Sequence, residues 1–369
     1  MKIAQIVFSL VSGGAEKFVV NLSNELAQLG HEVTVVALRD DNNEGYSFNK
    51  RFLNTTVNYH CMGFSSSFSL SMALRLGKYI KKEEFEIAHS HLSTLVAVPF
   101  LISCLVKREL KVVHTVHSVY TRSAHSFKGK VFSFCCNHKL MIPIAISEQC
   151  QSLSKKHFGV NELPLINNGC PDVTKSLCYD SVVDELSSIH LTKGPLFVHV
   201  ARYDQIKNQE LLVDSFNRLY GEMIPFKLLV IGHGFDSEDA RDLVENACEN
   251  IHFLGEKTNV GDYLLQADAF CMTSHYEGLP ISMLEAMSVG LTPICTPVGG
   301  IPDVITDGKT GYLSAGMSVD DYCAAIKRFI ASPIDKELLK KYFLDNYSMT
   351  KCALQYEQLY DEIVHNKKG

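Results

Sequence analysis

Residues 1–38, MKIAQIVFSLVSGGAEKFVVNLSNELAQLGHEVTVVAL, decide the fold class of this chain. Ile3–Leu10 is a continuous apolar run, which is typical of a strand buried on both faces of a sheet. Ser12–Gly14 suits a tight turn, and apolar residues then recur at helical spacing through Ala15–Leu29. A glycine ends that helix, and Val33–Leu38 is a second strand. The stretch therefore predicts a βαβ unit, the building block of a parallel sheet covered by helices.

The same alternation continues along both halves of the chain. In the first half, further strands and helices are predicted at Ser69–Lys82, Ile87–His89, Thr94–Val106, Val112–Val116, Pro143–Ile146 and Leu163–Asn167. In the second half, they are predicted at Leu196–Ala201, Gln209–Tyr220, Lys227–Ile231, Ser237–Cys248, Ile251–Leu254, Ala269–Met272 and Thr292–Cys295. The predicted fold class is therefore α/β, with two doubly wound, Rossmann-like domains.

The domain boundaries follow from the places where this alternation weakens. Residues 1–172 are predicted to form an N-terminal domain and residues 193–346 a C-terminal domain, with a linker of mixed polarity within 170–194. A last helix within 347–369 has apolar residues on one face, and we expect it to cross back to the first domain. Ligands of doubly wound sheets bind beyond the carboxyl ends of the strands, so two facing sheets predict a binding cleft between the domains.

Composition and charge are those of an ordinary globular protein. The chain has 369 residues, of which 46% are hydrophobic and 21% charged, with a formal net charge of −6, and we expect no nucleic-acid partner. The longest apolar run, residues 92–106, is interrupted by Pro99 and is too short to span a bilayer. Twelve scattered cysteines without a Cys-x-x-Cys pair predict free thiols in a reducing compartment, so we expect a cytoplasmic protein.

One segment is basic, because no carboxylate occurs between Glu109 and Glu148. Its basic and aromatic residues include Arg122, Phe127, Lys128, Lys130, Phe132, Phe134 and Lys139. Such a segment could contact anionic lipid, which would place the protein at the inner face of the plasma membrane, or a phosphorylated substrate. A solvated basic surface is the alternative, and the sequence leaves it open.

The most informative motif is HYEGLPISMLEAM at residues 275–287. It follows the predicted strand that ends at Met272, so Glu277 lies in a loop above the carboxyl end of that strand. Pro280 suits the first turn of the next helix, whose unpaired N–H groups favour a diphosphate. Glu277 and Glu285 are better suited to accept hydrogen bonds from the hydroxyl groups of a sugar and a ribose. For an isolated pair of this kind, the alternative is that both are solvated helix residues.

Two glycine-rich turns follow this motif, PVGGIPD at residues 297–303 and DGKTG at 307–311. Together with the two glutamates they resemble the C-terminal domain of the retaining glycosyltransferases of family 4, which have the GT-B fold of two facing Rossmann-like domains. The resemblance covers most of the chain. It extends to SGGAE at 12–16, HTVH at 114–117, NG at 168–169 and VARYDQIKN at 200–208.

The resemblance implies a role for each matching residue. Arg202 and Lys207 neutralise the donor diphosphate and the leaving nucleotide, His117 lies near the transferring sugar, and Glu277 contacts the sugar hydroxyls. These four are the expected catalytic residues, and neither glutamate is assigned as a general base. The expected donor-binding residues are Gly14, Gly232, Leu254, Leu279, Ile281, Ser282 and Glu285.

The chain departs from the family at Pro280, where many members have glycine. Proline removes one N–H, so the amides of Ile281 and Ser282 are expected to meet the diphosphate. No Asp-x-Asp occurs, and His89 and His91 fit no complete metal-ligand set, so these histidines are expected to be structural. We therefore expect a metal-independent reaction without a cofactor, in which basic residues and helix N-termini stabilise the leaving group.

The expected activity is transfer of a hexose or an N-acetylhexosamine from a nucleotide sugar, with UDP preferred to GDP or ADP. A glycan or polyprenyl-diphosphate-linked acceptor, as in surface polysaccharide synthesis, is expected. Two other classes stay open. Residues 231–237 and Glu256 imitate a dinucleotide-binding fingerprint, although Ser237 replaces its third glycine, and they would indicate an NAD-dependent oxidoreductase. A non-catalytic scaffold with the same fold is the other.

Overall fold

The computed structural model describes residues 1–39, 44–65, 70–91, 110–117, 127–160, 162–189 and 194–365. The predicted helix Thr94–Val106 and the basic residue Arg122 lie outside these ranges, and the side chains of Phe127 and Lys128 are not described. Contacts divide the chain into two compact units, residues 1–170 together with 349–369, and residues 171–348.

The first unit is built on a six-stranded sheet in which all neighbouring strands are parallel. Its strands are β1 (Lys2–Val7), β2 (Glu32–Arg39), β3 (Asn58–Phe64), β4 (Ile87–Ser90), β5 (Lys111–Val116) and β6 (Ile142–Ala145). The strand order is β3-β2-β1-β4-β5-β6, so the winding reverses between β1 and β4. The central strands are almost entirely buried, because helices cover both faces.

The helices of this unit are α1 (Gly14–Gln28), α2 (Leu70–Lys82), α3 (Phe127–Asn137), α4 (Glu148–Phe158) and the C-terminal helix Met349–His365, with short 3-10 turns at Glu44–Tyr46 and Phe48–Phe52. The C-terminal helix packs against α1 and buries Tyr356 and Tyr360 completely. At its start, the N–H of Met349 donates to the carbonyl oxygen of Cys170 at 2.9 Å. The last part of the chain therefore completes the core of the first unit.

The second unit has a six-stranded parallel sheet of its own. Its strands are β7 (Leu196–Val200), β8 (Lys227–Ile231), β9 (Ile251–Gly255), β10 (Ala269–Met272), β11 (Thr292–Cys295) and β12 (Tyr312–Leu313). The order is β12-β11-β10-β7-β8-β9, which repeats the connectivity of the first sheet and reverses between β7 and β10. The helices are α5 (Tyr179–Ile189), α6 (Gln209–Gly221), α7 (Arg241–Glu245), α8 (Val260–Leu264), α9 (Ile281–Ser288), α10 (Ile301–Val304), α11 (Val319–Ala331) and α12 (Lys336–Tyr347).

Three predicted segments differ from the structure. Leu163–Asn167 makes only an isolated bridge between Ala145 and Leu165, since Pro164 has no N–H to donate. Ser237–Cys248 is not one helix but a 3-10 turn, Glu238–Ala240, followed by the short α7. The expected linker contains helix α5, which is held by a 2.7 Å hydrogen bond from the Tyr263 hydroxyl to Glu185.

The cysteines and the helices also bear on the predictions of free thiols and of no membrane-spanning segment. Every cysteine that the structure describes is a free thiol. Over the same described ranges, no helix is long and apolar enough to cross a bilayer.

Candidate active site

Glu277 lies in the loop after β10 and is buried, with 8% of its surface exposed. Its Oε1 accepts a hydrogen bond of 2.6 Å from the Ser274 hydroxyl and one of 2.8 Å from Lys207 Nζ. Lys207 comes from the loop after β7, the strand that adjoins β10. This charged pair therefore lies at the carboxyl edge of the sheet, where the winding reverses and doubly wound sheets bind their ligands.

Hydrogen bonds to backbone carbonyl oxygens also join the loop after β7 to the loop after β10. Thr273 Oγ1 donates to the carbonyl oxygen of Asn208 at 2.9 Å, and the N–H of His275 donates to that of Ile206 at 2.7 Å. Asn208 has a left-handed φ of 52°, which asparagine tolerates better than most residues. These bonds hold the backbone on both sides of Lys207 independently of the contact between its side chain and Glu277.

The Gly299–Gly300 turn supports the backbone of Glu277. The N–H of Gly300 donates to the carbonyl oxygen of Gly278 at 2.7 Å. A Cβ at Gly299 would come within 1.8 Å of the Glu277 carbonyl oxygen, and its φ of +60° also favours glycine. The turn after β11 therefore needs glycine so that it can approach the loop that carries the carboxylate.

Arg202 follows β7 and points its guanidinium at Asp204, with 3.0 Å between Nη2 and Oδ2. Half of the Arg202 side chain is exposed. Desolvation acts to raise the pKa of Asp204, but hydrogen bonds from the Ile206 N–H and from Arg202 lower it below its ordinary value. Asp204 is therefore ionised at pH 7 and pairs with the Arg202 guanidinium.

Sequence reasoning missed two residues behind Arg202. His199, on β7, is fully buried, and its Nδ1 lies 2.9 Å from the carbonyl oxygen of Cys271. Burial lowers the pKa of His199 to about 4, so its ring is neutral at pH 7. Gln209 Nε2 donates to the Arg202 carbonyl oxygen at 2.9 Å. The sequence signal that could have found His199 is its position as a polar residue within the apolar run of β7.

Helix α9 begins immediately after Pro280, so the amides of Ile281 and Ser282 are among the first N–H groups, which have no acceptor within a helix. Leu279 and Ile281 are buried, and Glu285 has 7% of its surface exposed. The alternative that Glu277 and Glu285 are solvated helix residues is wrong, because both carboxylates are buried.

Gly232 and Leu254 lie on the other side of β7. A Cβ at Gly232 would come within 2.0 Å of the Ala201 carbonyl oxygen, so the loop after β8 depends on glycine to pass the loop after β7. The N–H of Gly232 donates to the carbonyl oxygen of Gly255 at 2.9 Å. Leu254 is half-buried within β9.

In the first unit, Gly14 is the first residue of α1, and His117 directly follows β5. His117 Nε2 lies 3.0 Å from His91 Nδ1, and its ring makes an edge contact with Phe18, with 5.7 Å between the ring centroids. Burial, and secondarily the nearby His114, lowers the pKa of His117 to about 3. The imidazole is therefore neutral at pH 7.

The basic segment has a different character from the one predicted. Phe132 is buried, with its ring edge against Phe158, so it is a core residue and not part of a contact surface. Lys130 and Lys139 are exposed, and 56% of the surface of Phe134 is exposed on α3.

Solved structures show the class to which this fold belongs. A glycosyltransferase from Rickettsia africae ESF-5 has a TM-score of 0.79 at 17% identity, covering 99% of both chains. Alr3699/HepE of Anabaena, in complex with UDP and glucose, has a TM-score of 0.80 at 16% identity, covering 97% of this chain and 99% of its own. The chain has the architecture of a GT-B glycosyltransferase, and the predicted fold class is confirmed.

Two family models place the chain more closely. The model described as Glycosyltransferase Family 4 matches residues 12–172, and the model described as Glycosyl transferases group 1 matches residues 185–343. The chain belongs to glycosyltransferase family 4. N-acetyl-alpha-D-glucosaminyl L-malate synthase of Bacillus anthracis is 25% identical over 97% of this chain and 96% of its own length. Neither the NAD-dependent oxidoreductase nor the non-catalytic scaffold is favoured by these matches.

Proposed function

We propose that this glycosyltransferase transfers a hexose or an N-acetylhexosamine from a UDP-sugar, with retention of anomeric configuration, to a glycan or polyprenyl-diphosphate-linked acceptor in surface polysaccharide synthesis. The observation that carries the proposal is the ion pair between the partly buried Lys207 and the buried Glu277, with 2.8 Å between Nζ and Oε1. The cation suits a diphosphate, and the carboxylate suits sugar hydroxyls. A nucleotide sugar presents both groups in one molecule.

Arg202 and Lys207 would stabilise the departing nucleoside diphosphate. Because the pair of Arg202 and Asp204 is half exposed, it contributes little by itself, and a diphosphate can compete for the guanidinium. The amides of Ile281 and Ser282, at the start of α9, add donors without adding charge. These groups do the electrostatic work that a divalent cation does in other transferases, so metal independence is part of the proposal.

The remaining expected site residues are proposed to have the following roles. Glu277 would accept hydrogen bonds from the sugar, and Glu285, further along α9, from the ribose. The base would lie against the backbone around Leu254, beside Gly232 and Leu279. Gly14 and His117 of the first unit would serve the donor phosphates and the sugar, and the leaving diphosphate would take the acceptor proton on the same face.

Relatives support the choice of donor and acceptor. Alr3699/HepE of Anabaena has been solved in complex with UDP-glucose. A relative from Campylobacter jejuni, 24% identical over 95% of this chain and 94% of its own length, is an alpha-1,4-N-acetyl-D-galactosaminyltransferase acting on an undecaprenol-linked glycan. We extend a nucleotide-sugar donor and a lipid-linked acceptor of this kind to the present chain.

A lipid-linked acceptor implies work at a membrane surface. We propose a cytoplasmic protein that contacts the inner face of the plasma membrane through α3 and the turn after it, where Lys130, Phe134 and Lys139 are exposed. Flotation with anionic liposomes tests this contact. The protein should float with the vesicles, and replacement of Lys130 and Lys139 by glutamate should leave it in the soluble fraction; wild-type protein that never floats would refute the contact.

The donor is tested by thermal stabilisation across UDP-, GDP- and ADP-sugars with EDTA present. We expect the melting temperature to rise with UDP-sugars and EDTA to leave that rise unchanged. Proton NMR of the transferred sugar then reports the anomeric configuration. Stabilisation by NAD(H) alone, or an inverted product, would contradict the proposal.

The role of the charged pair is tested by Lys207→Met, which should lower kcat by about 100-fold because one stabilising charge at the leaving group is lost. Lys327→Met is the matched control, since Lys327 is also ion-paired in this unit, at 2.6 Å from Glu222, but lies on the exposed face of α11. Equal activity in the two variants would contradict a role for Lys207 in transfer.

A further inference from the structure

Three polar side chains lie in a row across adjacent strands of the first sheet. Gln5 is on β1, His91 directly follows β4, and His117 directly follows β5. His91 Nε2 is 2.7 Å from Gln5 Oε1, and His91 Nδ1 is 3.0 Å from His117 Nε2. The row is therefore continuous from the interior of the sheet to the loop that carries His117.

Both imidazoles are neutral near pH 7. Burial lowers the pKa of His91 well below its usual value, and His89, His117 and His114 add to this by repulsion of a second positive charge. A neutral imidazole has one N–H and one bare nitrogen, so each hydrogen bond in the row has a definite direction.

The protons can be followed from the buried end. Gln5 is fully buried, and its Oε1 can only accept, so His91 Nε2 carries the hydrogen. His91 Nδ1 is then bare and accepts, so His117 Nε2 must donate. The remaining nitrogen of His117, Nδ1, keeps its lone pair and points away from His91.

We propose that Gln5 and His91 are positioning residues that fix His117 as the Nε2–H tautomer, so that its Nδ1 accepts a hydrogen bond from a sugar hydroxyl. An accepting nitrogen selects an O–H group and disfavours a phosphate or carboxylate oxygen, which have no hydrogen to give. The hydroxyl part of the inference rests on the proposed function, whereas the tautomer does not.

The rings on either side hold this arrangement in place. His89 packs against His91, with 4.0 Å between the ring centroids, and is itself held between the Tyr360 hydroxyl at 2.6 Å and Thr115 Oγ1 at 2.8 Å. Phe18 contacts the rings of both His91 and His117. A flip of His91 would break both of its hydrogen bonds inside this packing.

The tautomer is measured directly in the full chain labelled with 15N-histidine, by long-range proton–nitrogen correlation at pH 7. We expect His117 to show a protonated Nε2 and a bare Nδ1, with the signals assigned by their loss in His117→Asn. A protonated Nδ1, or an imidazolium, would overturn the proposal, and this wild-type measurement needs no variant in the row to fold.

The link to Gln5 is tested by Gln5→Met, which keeps the length of the side chain without an acceptor. His117 should then populate both tautomers, and Gln5→Glu, which restores an acceptor, should recover the Nε2–H form. In the proposed transfer reaction, Gln5→Met should lower kcat/KM by about tenfold, as expected for one lost hydrogen bond. His60→Phe, on β3, is the control and should leave the His117 signals unchanged.

Unchanged His117 signals in Gln5→Met would overturn the proposal that Gln5 and His91 fix the His117 tautomer. The proposed function fails in a different way, through the absence of stabilisation by any nucleotide sugar, and that result does not alter the ring nitrogen signals.

Discussion

At the scale of residues, Glu277 shows what a strand-end position does and does not reveal. Glu277 and Lys207 could each be selected from the sequence, because each follows an apolar strand. Their ion pair could not be predicted from the residues themselves, since the two are 70 positions apart and meet only because β7 and β10 are neighbours. The roles of His199 and Gln209 could not be predicted for the same reason, because their hydrogen-bond partners come from other elements.

Gly299→Ala should disrupt both stability and the position of Glu277. The new Cβ would lie 1.8 Å from a backbone oxygen that no side-chain rotation can move, so we expect a loss of about 3 kcal/mol in the free energy of unfolding. Urea denaturation measures the loss.

Gly308→Ala is the matched control for this prediction. Gly308 also has a positive φ, +74°, but its nearest neighbour is the end of the Arg328 side chain at 3.7 Å. Only the backbone strain should remain, at about 1 kcal/mol. Equal losses in the two variants would show that the close approach to Glu277 is unimportant.

At the scale of elements, long buried strands and amphipathic helices were predictable, and edge elements were not. β3 (NYHCMGF) buries only Met62 and Phe64, and β12 has only two residues, so neither has the apolar run that marks a central strand. Helix α5 lies in a segment whose mixed polarity and weak periodicity favour a linker, and Val182 and Leu186 are the only residues that it buries. Its position depends on Tyr263, which no local pattern in the segment reveals.

The C-terminal helix gives a prediction at this scale. Tyr360→Phe removes the hydroxyl that lies 2.6 Å from Nδ1 of the fully buried His89 and leaves that nitrogen without this partner. We expect a loss of about 2 kcal/mol in the free energy of unfolding. Tyr342→Phe, whose hydroxyl donates to the Val304 carbonyl oxygen from a partly buried site, should cost less. The reverse order in thermal melting would contradict the prediction.

At the scale of the whole molecule, the repeated βα alternation was enough to predict two sheets of the same winding. The assignment of the C-terminal helix to the first unit depends instead on the burial of Tyr356 and Tyr360 in that unit, which the alternation does not predict. Charge and composition limited the class of protein but placed no residue in the site.

The two units should differ in their response to acid. Burial lowers the pKa of His114 to about 4 and of His117 to about 3, and it also lowers those of His89 and His91, all in the first unit. In the second unit, His199 is the only described histidine whose pKa burial lowers this far.

Below about pH 6.5, the unfolded chain takes up protons that these buried rings cannot, so stability falls as the pH falls. As the pH falls from about 6.5 to the pKa of the folded protein, each ring lowers the free energy of unfolding by up to about 1.4 kcal/mol per pH unit. Above about pH 6.5 the ring has no such effect. Amide protection factors, in which each measured exchange rate is divided into the rate of the unfolded amide at the same pH, should therefore fall more between pH 7 and pH 5 in the first unit than in the second. Equal falls in the two units would contradict the prediction.

The hydrogen bond between Met349 and Cys170 has a consequence for how the protein is made. It joins the two chain segments of the first unit, which the ribosome synthesises before and after the second unit. While the second unit is being translated, His89 and Thr115 lack their hydrogen-bond partners Tyr360 and Tyr356, which have not yet been synthesised. The second unit can form its native core during synthesis, whereas the first can do so only after helix Met349–His365 has left the exit tunnel.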